Sequence, residues 1–117
     1  MVYMDEIRKL EFIFQTLADR NRLKIIQIIS NKTCSVTEIV DASGLSQPLV
    51  SHHLKILRQQ LFLETERKGP FVYHKLKDPR ILDALGIFSE IAAQLSESTF
   101  KEKAFYCPPW FKHHLKY

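Results

Sequence analysis

The chain has 117 residues and a formal net charge of +4, with 45% hydrophobic and 26% charged residues. This composition excludes a disordered chain and predicts one folded domain, 1–117, which is small for an enzyme with a deep pocket. No apolar run approaches membrane-spanning length, and charges within residues 5–9 interrupt any secretory signal. Two cysteines are too few for a disulfide framework, so we expect a cytoplasmic protein.

Two apolar helices are predicted at the start of the chain. The first covers residues 5–18, and its Phe12 falls on the side opposite the apolar stripe, where a monomer would expose it. The second covers residues 20–30. Its apolar residues surround most of the helix, which predicts that it is the most buried one; they are Leu23, Ile25, Ile26, Ile28 and Ile29.

A helix-turn-helix is predicted next. Ser35 as N-cap and Glu38 three residues later form a capping box that opens a short helix over residues 36–43. Gly44 ends this helix, and Ser46 is the N-cap of the following one. Two helices joined by a turn that contains glycine are typical of the helix-turn-helix motif.

The second helix of this motif has one apolar and one polar face. Its apolar residues recur at helical spacing and should be buried, with His53 beside them as a hydrogen-bonded core residue; they are Val50, Leu54, Leu57 and Leu61. The outward residues offer many donors and few negative charges, as a helix in the DNA major groove requires. An ordinary amphipathic surface helix has the same pattern, so the neighbouring segments must decide between the two.

A β-hairpin follows and favours the DNA-binding alternative. Residues 63–67 and 71–76 are strand-like and flank a turn at 68–70. A helix-turn-helix followed by a hairpin predicts a mainly α, winged helix-turn-helix fold with five or six helices and a two-stranded wing. Residues 44–77 contain six basic and two acidic side chains, whereas the rest of the chain contains eleven of each. The whole positive excess therefore lies on the predicted reading helix and wing.

The predicted partner is double-stranded DNA. We expect Gln47, Ser51 and His52 to face base edges and the basic residues to meet phosphate mostly. The full set of predicted DNA-binding residues is Ser46, Gln47, Ser51, His52, Lys55, Arg58, Arg67 and Lys68.

The last predicted helix covers residues 78–97 and has two apolar faces. One is a long stripe, and the other is flatter and carries small residues that suit close contact between helices; this second face consists of Leu82, Gly86, Ser89 and Ala93. One small core cannot cover both faces and Phe12, so we expect these residues in a homodimer interface. The tail, residues 98–117, is rich in aromatic and basic residues, which we expect to dock on the domain or on a partner subunit.

Two segments resemble the ArsR/SmtB family of winged-helix repressors. Residues 46–54 look like the recognition-helix motif of that family, and residues 17–26 are similar to its junction between the first two helices. The resemblance implies a homodimer that binds a palindromic operator and represses transcription until an effector releases it. It also implies a reading core at 19–77, with dimerisation helices at 5–18 and 78–97.

The two commonest metal sites of the family do not carry over. The Cys-x-Cys pair falls on Ser35 and Thr37, and Cys34 lies one residue too early. Of the Asp-x-His and His-x-x-Glu set, only Asp78 is present. The other three positions are Arg80, Ile91 and Gln94. No metal can therefore be inferred from the resemblance.

Four potential effector ligands remain: Cys34, Cys107, His113 and His114. They suit a soft metal or metalloid, or oxidation of the thiols. Cys34 precedes a helix N-terminus, which favours a thiolate, and a disulfide with Cys107 would link the reading head to the tail. The competing interpretation is two ordinary buried cysteines and two solvated histidines.

The sequence also bears on two other classes of function. A winged helix can also serve as a protein- or RNA-interaction module without an inducer. An enzyme is not expected, because the chain has no Cys-x-x-Cys pair, no glycine-rich phosphate loop and no paired carboxylates beside a base.

Overall fold

The computed structural model describes residues 2–95, and within them it has five helices and one hairpin. The elements in chain order are α1 (Val2–Leu17), α2 (Arg20–Ile29), α3 (Val36–Ser43), α4 (Gln47–Gln59), β1 (Leu63–Lys68), β2 (Phe71–Leu76) and α5 (Arg80–Ala92). This order confirms the predicted winged helix-turn-helix. The chain divides into two compact units, Met1–Leu82 and Asp83–Tyr117. The first unit contains the helix-turn-helix and the wing.

Helix α3 begins and ends at the predicted residues, and α4 begins at the predicted residue. The hydroxyl of Ser35 accepts the N–H of Glu38 at 3.2 Å, and that of Ser46 accepts the N–H of Leu49 at 3.3 Å. Gly44 ends α3 with a φ of 72°, a left-handed conformation that glycine adopts without steric cost. These local bonds fix where α3 ends and α4 begins.

Helix α2 lies at the centre of the core, as its sequence predicts. Ile25, Ile26 and Ile29 are fully buried, and α2 contacts α1, α3, α4 and β2. Helices α3 and α4 add further fully or almost fully buried side chains to this core: Ile39, Val50, Leu54 and Leu57. The apolar face of α4 is thereby fixed against α2, and its opposite face is left in solvent.

The wing is an antiparallel hairpin closed by a two-residue turn. Pairing runs from Leu63 with Leu76 at the base to Lys68 with Phe71 at the tip. Between them, Gly69 has a φ of 62°. The backbone of Cys34 exchanges two hydrogen bonds with that of His74, at 2.9 and 2.7 Å. This bridge attaches the wing to the segment that precedes α3.

Two predicted helix boundaries were wrong. Leu61 is 67% exposed and has a φ of 63°, because α4 ends at Gln59 and the chain reverses before β1. Helix α5 ends at Ala92 and not at residue 97, although Asp78 does cap its start by accepting the N–H of Arg80 at 3.0 Å. The predicted tail, 98–117, lies outside the described residues. Among those described, no helix is long and apolar enough to cross a membrane.

Removal of the α4 cap should destabilise the fold. Ser46→Ala should lower the free energy of unfolding by about 1 kcal/mol, because the N–H of Leu49 loses its partner. Ser51→Ala is the matched control in the same helix, and its exposed position should keep the change within about 0.5 kcal/mol. Urea denaturation followed by circular dichroism measures both. Equal effects of the two substitutions would contradict the capping role.

Candidate DNA-binding surface

All eight predicted DNA-binding side chains are exposed. Six belong to α4 or its N-cap, and two belong to the tip of the wing. They are Ser46, Gln47, Ser51, His52, Lys55, Arg58, Arg67 and Lys68. Helix α4 thus presents polar and basic groups along its solvent side while Val50, Leu54 and Leu57 hold its other side in the core.

Polar contacts hold the ends of the reading helices. The ammonium of Lys24 in α2 donates to the carbonyl of Ser43 at 2.7 Å, which satisfies a free carbonyl at the end of α3. At the far end of α4, the Thr16 hydroxyl of α1 lies in hydrogen-bond contact with the side-chain oxygen of Gln60, the C-cap residue. The guanidinium of Arg22 donates to the Thr16 carbonyl at 2.6 Å. These bonds connect α2 to the end of α3, α1 to the end of α4, and α1 to α2.

The wing is also suited to approach an anion. One of its two carboxylates, Glu64, is paired with Lys75 at 3.4 Å, which offsets its charge. The ammonium of Lys68 lies 5.6 Å from the centre of the Tyr73 ring, a cation–π contact that orients it at the wing tip. Lys68 and Arg67 therefore remain available for phosphate.

The predicted dimer residues are accessible on α1 and α5. Phe12 is 46% exposed, Leu82 is half-buried, and Gly86, Ser89 and Ala93 are exposed. Helix α5 has no buried side chain, and Ile87 and Ile91 are more than half exposed. Both helices thus present apolar surface that nothing in the described part of the chain covers completely.

The predicted thiolate at Cys34 was wrong. Cys34 is 3% exposed, and its pKa is raised by burial and, to a smaller extent, by the carboxylate of Glu38. Burial has a larger effect on the pKa of Cys34 than the helix N-terminus, because the backbone bridge to His74 holds the residue in the interior. Cys107, His113 and His114 lie outside the described residues, so a link between the two cysteines stays a prediction. The described part of the chain has no cluster of three or more metal-ligating side chains.

Two histidines are buried, one in α4 and one in the wing. His53 of α4 is buried as predicted, but its Nδ1 has no hydrogen-bond partner among the described residues, and the same holds for His74 of the wing. Burial lowers the pKa of both imidazoles. The charge of Arg58 lowers that of His74 further, whereas Asp19 partly opposes the shift at His53. Both side chains are therefore most stable in the neutral form.

The sequence did not point to the side chains that join a helix end to another element. Thr16, Gln60 and Lys24 have no role in the apolar periodicity, and their partners are distant in sequence or on another element. The Asp19 N-cap was also not predicted, although it accepts the N–H groups of Asn21 and Arg22 at 2.8 and 3.1 Å and has a recognisable local signal of the kind that Ser35 and Ser46 have.

Taken together, a buried α2, a capped helix-turn-helix and a basic wing define a winged helix-turn-helix DNA-binding transcriptional regulator. Comparison with known proteins supports this class. The family model described as bacterial regulatory protein, arsR family, matches residues 19–64. The transcriptional repressor SmtB homolog of Synechocystis sp. is 30% identical, over 81% of this chain and 70% of its own length.

Two further similarities agree with this assignment. The arsenic resistance transcriptional regulator ArsR1 of Pseudomonas putida is 36% identical, over 71% of this chain and 67% of its own. The crystal structure of NolR from Sinorhizobium fredii superposes with a TM-score of 0.68 at 27% identity, covering 76% of this chain and 89% of that one. The chain belongs to the ArsR family.

Acidification should destabilise the fold through its buried histidines. Because their folded-state pKa values lie below the unfolded value, the unfolded state binds more protons once the pH falls below about 6.5. The free energy of unfolding should therefore be lower at pH 5.5 than at pH 7.5.

The histidines can be separated by substitution. His74→Gln should reduce this loss of stability between the two pH values, as measured by urea denaturation at each. His52→Gln is the matched control; it should keep most of the wild-type loss, because His52 is exposed and makes only the smallest contribution to the lowered pKa of His53. If His74→Gln and the wild type lose equal stability, the buried imidazole is not the source.

Proposed function

We propose that the protein is a dimeric repressor that binds a palindromic operator in the cytoplasm and is released by an effector. The observation that carries this proposal is the exposed polar face of α4, on which the predicted base-reading and phosphate-binding side chains of this helix are all accessible to solvent. A helix of this kind enters the major groove, and a two-fold dimer reads two half-sites about 34 Å apart.

The residues of this surface have two roles in the proposal. Gln47, Ser51 and His52, in the first half of α4, read base edges by hydrogen bonds. Lys55, Arg58 and the wing cations neutralise phosphates, which sets affinity and its dependence on salt but carries no sequence information.

Dimerisation follows from the uncovered apolar surface. Phe12 on α1 and the second face of α5 around Gly86 would be buried by a second copy. Two-fold pairing makes the same surface complementary to itself and fixes the spacing of the two recognition helices. An effector that prefers one spacing of the helices would then change operator affinity.

Substitutions should separate base reading from phosphate binding. His52→Ala should cost about 1–3 kcal/mol on the operator and relax its specificity at one position. Lys68→Ala should weaken all duplexes similarly and reduce the slope of log K against log salt by about 1. Lys32→Ala is the control, since it removes an exposed cation outside the surface.

The operator for this measurement can be selected from a random duplex pool, with affinities then measured by fluorescence anisotropy at several salt concentrations. The proposal fails if His52→Ala and Lys68→Ala behave like Lys32→Ala. A chain that selects no preferred sequence, or binds RNA equally well, would instead be an interaction module of the winged-helix type.

The dimer should be broken by a charge at its interface. The wild type should sediment as a dimer at low micromolar concentration, and Phe12→Asp should shift it toward monomer because a carboxylate would be buried without a partner. Phe71→Asp is the matched control, because this phenylalanine is 59% exposed at the wing tip, away from the proposed interface. A wild type that sediments only as monomer would refute the proposal.

A further inference from the structure

A cavity of about 510 Å³ lies within the first compact unit, between α1 and the turn that follows α4. Its apolar wall is formed by Phe12 and Ile13 of α1, by Leu61 and Phe62 of the turn, and by Ile81 at the start of α5. Cavities of 300–1,000 Å³ with apolar and aromatic walls are typical of sites for small organic ligands.

The polar part of the cavity is positively charged. Arg8 and Lys9 line it, both are exposed, and neither forms an ion pair with any residue that the structure describes. Asp78 also lines it, but its carboxylate is bound by the guanidinium of Arg80 at 2.7 Å, which holds the pKa of Asp78 at about 2. The acid is therefore already compensated, and the two cations on α1 are not.

We propose that this cavity binds a small organic anion with a flat apolar body, such as an aromatic carboxylate, and that this anion is the effector. The ring would pack between the side chains of Ile13 and Phe62, and the carboxylate would meet Arg8 and Lys9. Binding itself does not depend on the proposed function. The effector role does rest on it.

The cavity also touches the end of the recognition helix. Gln60, the C-cap of α4, lines it and contacts the Thr16 hydroxyl of α1, and Leu61 follows with its left-handed backbone. A ligand seated there competes for the Gln60 amide and packs on the turn that ends α4. It can therefore favour one position of α4 over another and change operator affinity.

Charge argues against a second copy of the chain as the occupant. The predicted dimer residues of α5, which are Leu82, Gly86, Ser89 and Ala93, contain no carboxylate that could pair with Arg8 or Lys9. Those four residues offer the two cations no partner, and the nearest carboxylates of α5, Asp83 and Glu90, flank that face and do not lie on it. An organic anion supplies both the apolar body and the missing charge.

Calorimetry on the full chain, without DNA, tests the site. The probes are 2-naphthoate and its neutral isostere 2-naphthamide. We expect the wild type to bind the carboxylate about tenfold more tightly than the amide, as one charge-assisted contact provides. The double variant Arg8→Gln, Lys9→Gln should lose this preference but still bind the amide. Lys32→Gln, the matched control, should keep it, and Ile13→Trp should weaken both probes by narrowing the cavity.

Three results would overturn the site: no binding of either probe, equal affinity for the two, or a preference for the carboxylate that survives in the double variant. Conversion of dimer to monomer by 2-naphthoate would identify the second copy as the occupant and would also overturn the proposed site.

For the effector role, saturating 2-naphthoate should lower operator affinity severalfold in the wild type and not in the double variant. Binding of 2-naphthoate without a change in operator affinity would refute the effector role. A chain that never binds an operator would refute the proposed function. In that case calorimetry would still show whether the cavity binds the anion.

Discussion

The burial of three isoleucines of α2 is the constraint on which the position of the helix-turn-helix depends. Ile25, Ile26 and Ile29 are completely removed from solvent and contact the elements that surround them. At about 25 cal/mol per Å² of apolar surface, this burial is the main term that holds α3 and α4 in place. The solvent face of α4 is consequently a rigid surface, and its basic and polar groups can be matched to a groove.

Polar contacts then set the ends of each helix on this apolar frame. Burial alone would allow small rotations of α4, because apolar contacts have little directional preference. The Ser46 cap at one end and the Thr16–Gln60 contact at the other are directional, and Lys24 does the same for the end of α3. Helix α1 is thus joined by a polar contact to the helix that reads DNA.

The sequence predicted those features that depend on near neighbours. Caps such as Ser35 and Ser46 bond three residues along the chain, and the isoleucines of α2 reveal burial by their number. Prediction failed where distant contacts decide. Leu61 matched the apolar spacing, yet the chain reverses its direction there. Cys34 was expected to be a thiolate, but a backbone bridge to His74 of the wing, 40 residues away, holds it in the interior. The residues predicted to bind DNA or to form a dimer are accessible as expected, and a single chain does not contain the partners proposed for them.

The two ends of α4 face different tasks. Its first half carries the residues proposed to read bases, while its C-cap residue, Gln60, contacts α1 and lines the cavity. A helix of 13 residues spans about 20 Å and is stiff over that length, so a small displacement at its C-terminal end must also move the reading residues. Membership of the ArsR family therefore supports a DNA-binding role for this fold, whereas the proposed sensing role of the C-terminal end of α4 rests on the cavity alone. The positions at which the family resemblance would place metal ligands hold Arg80, Ile91 and Gln94 in this chain, so an effector proposed here has to be recognised by other groups, such as those that line the cavity.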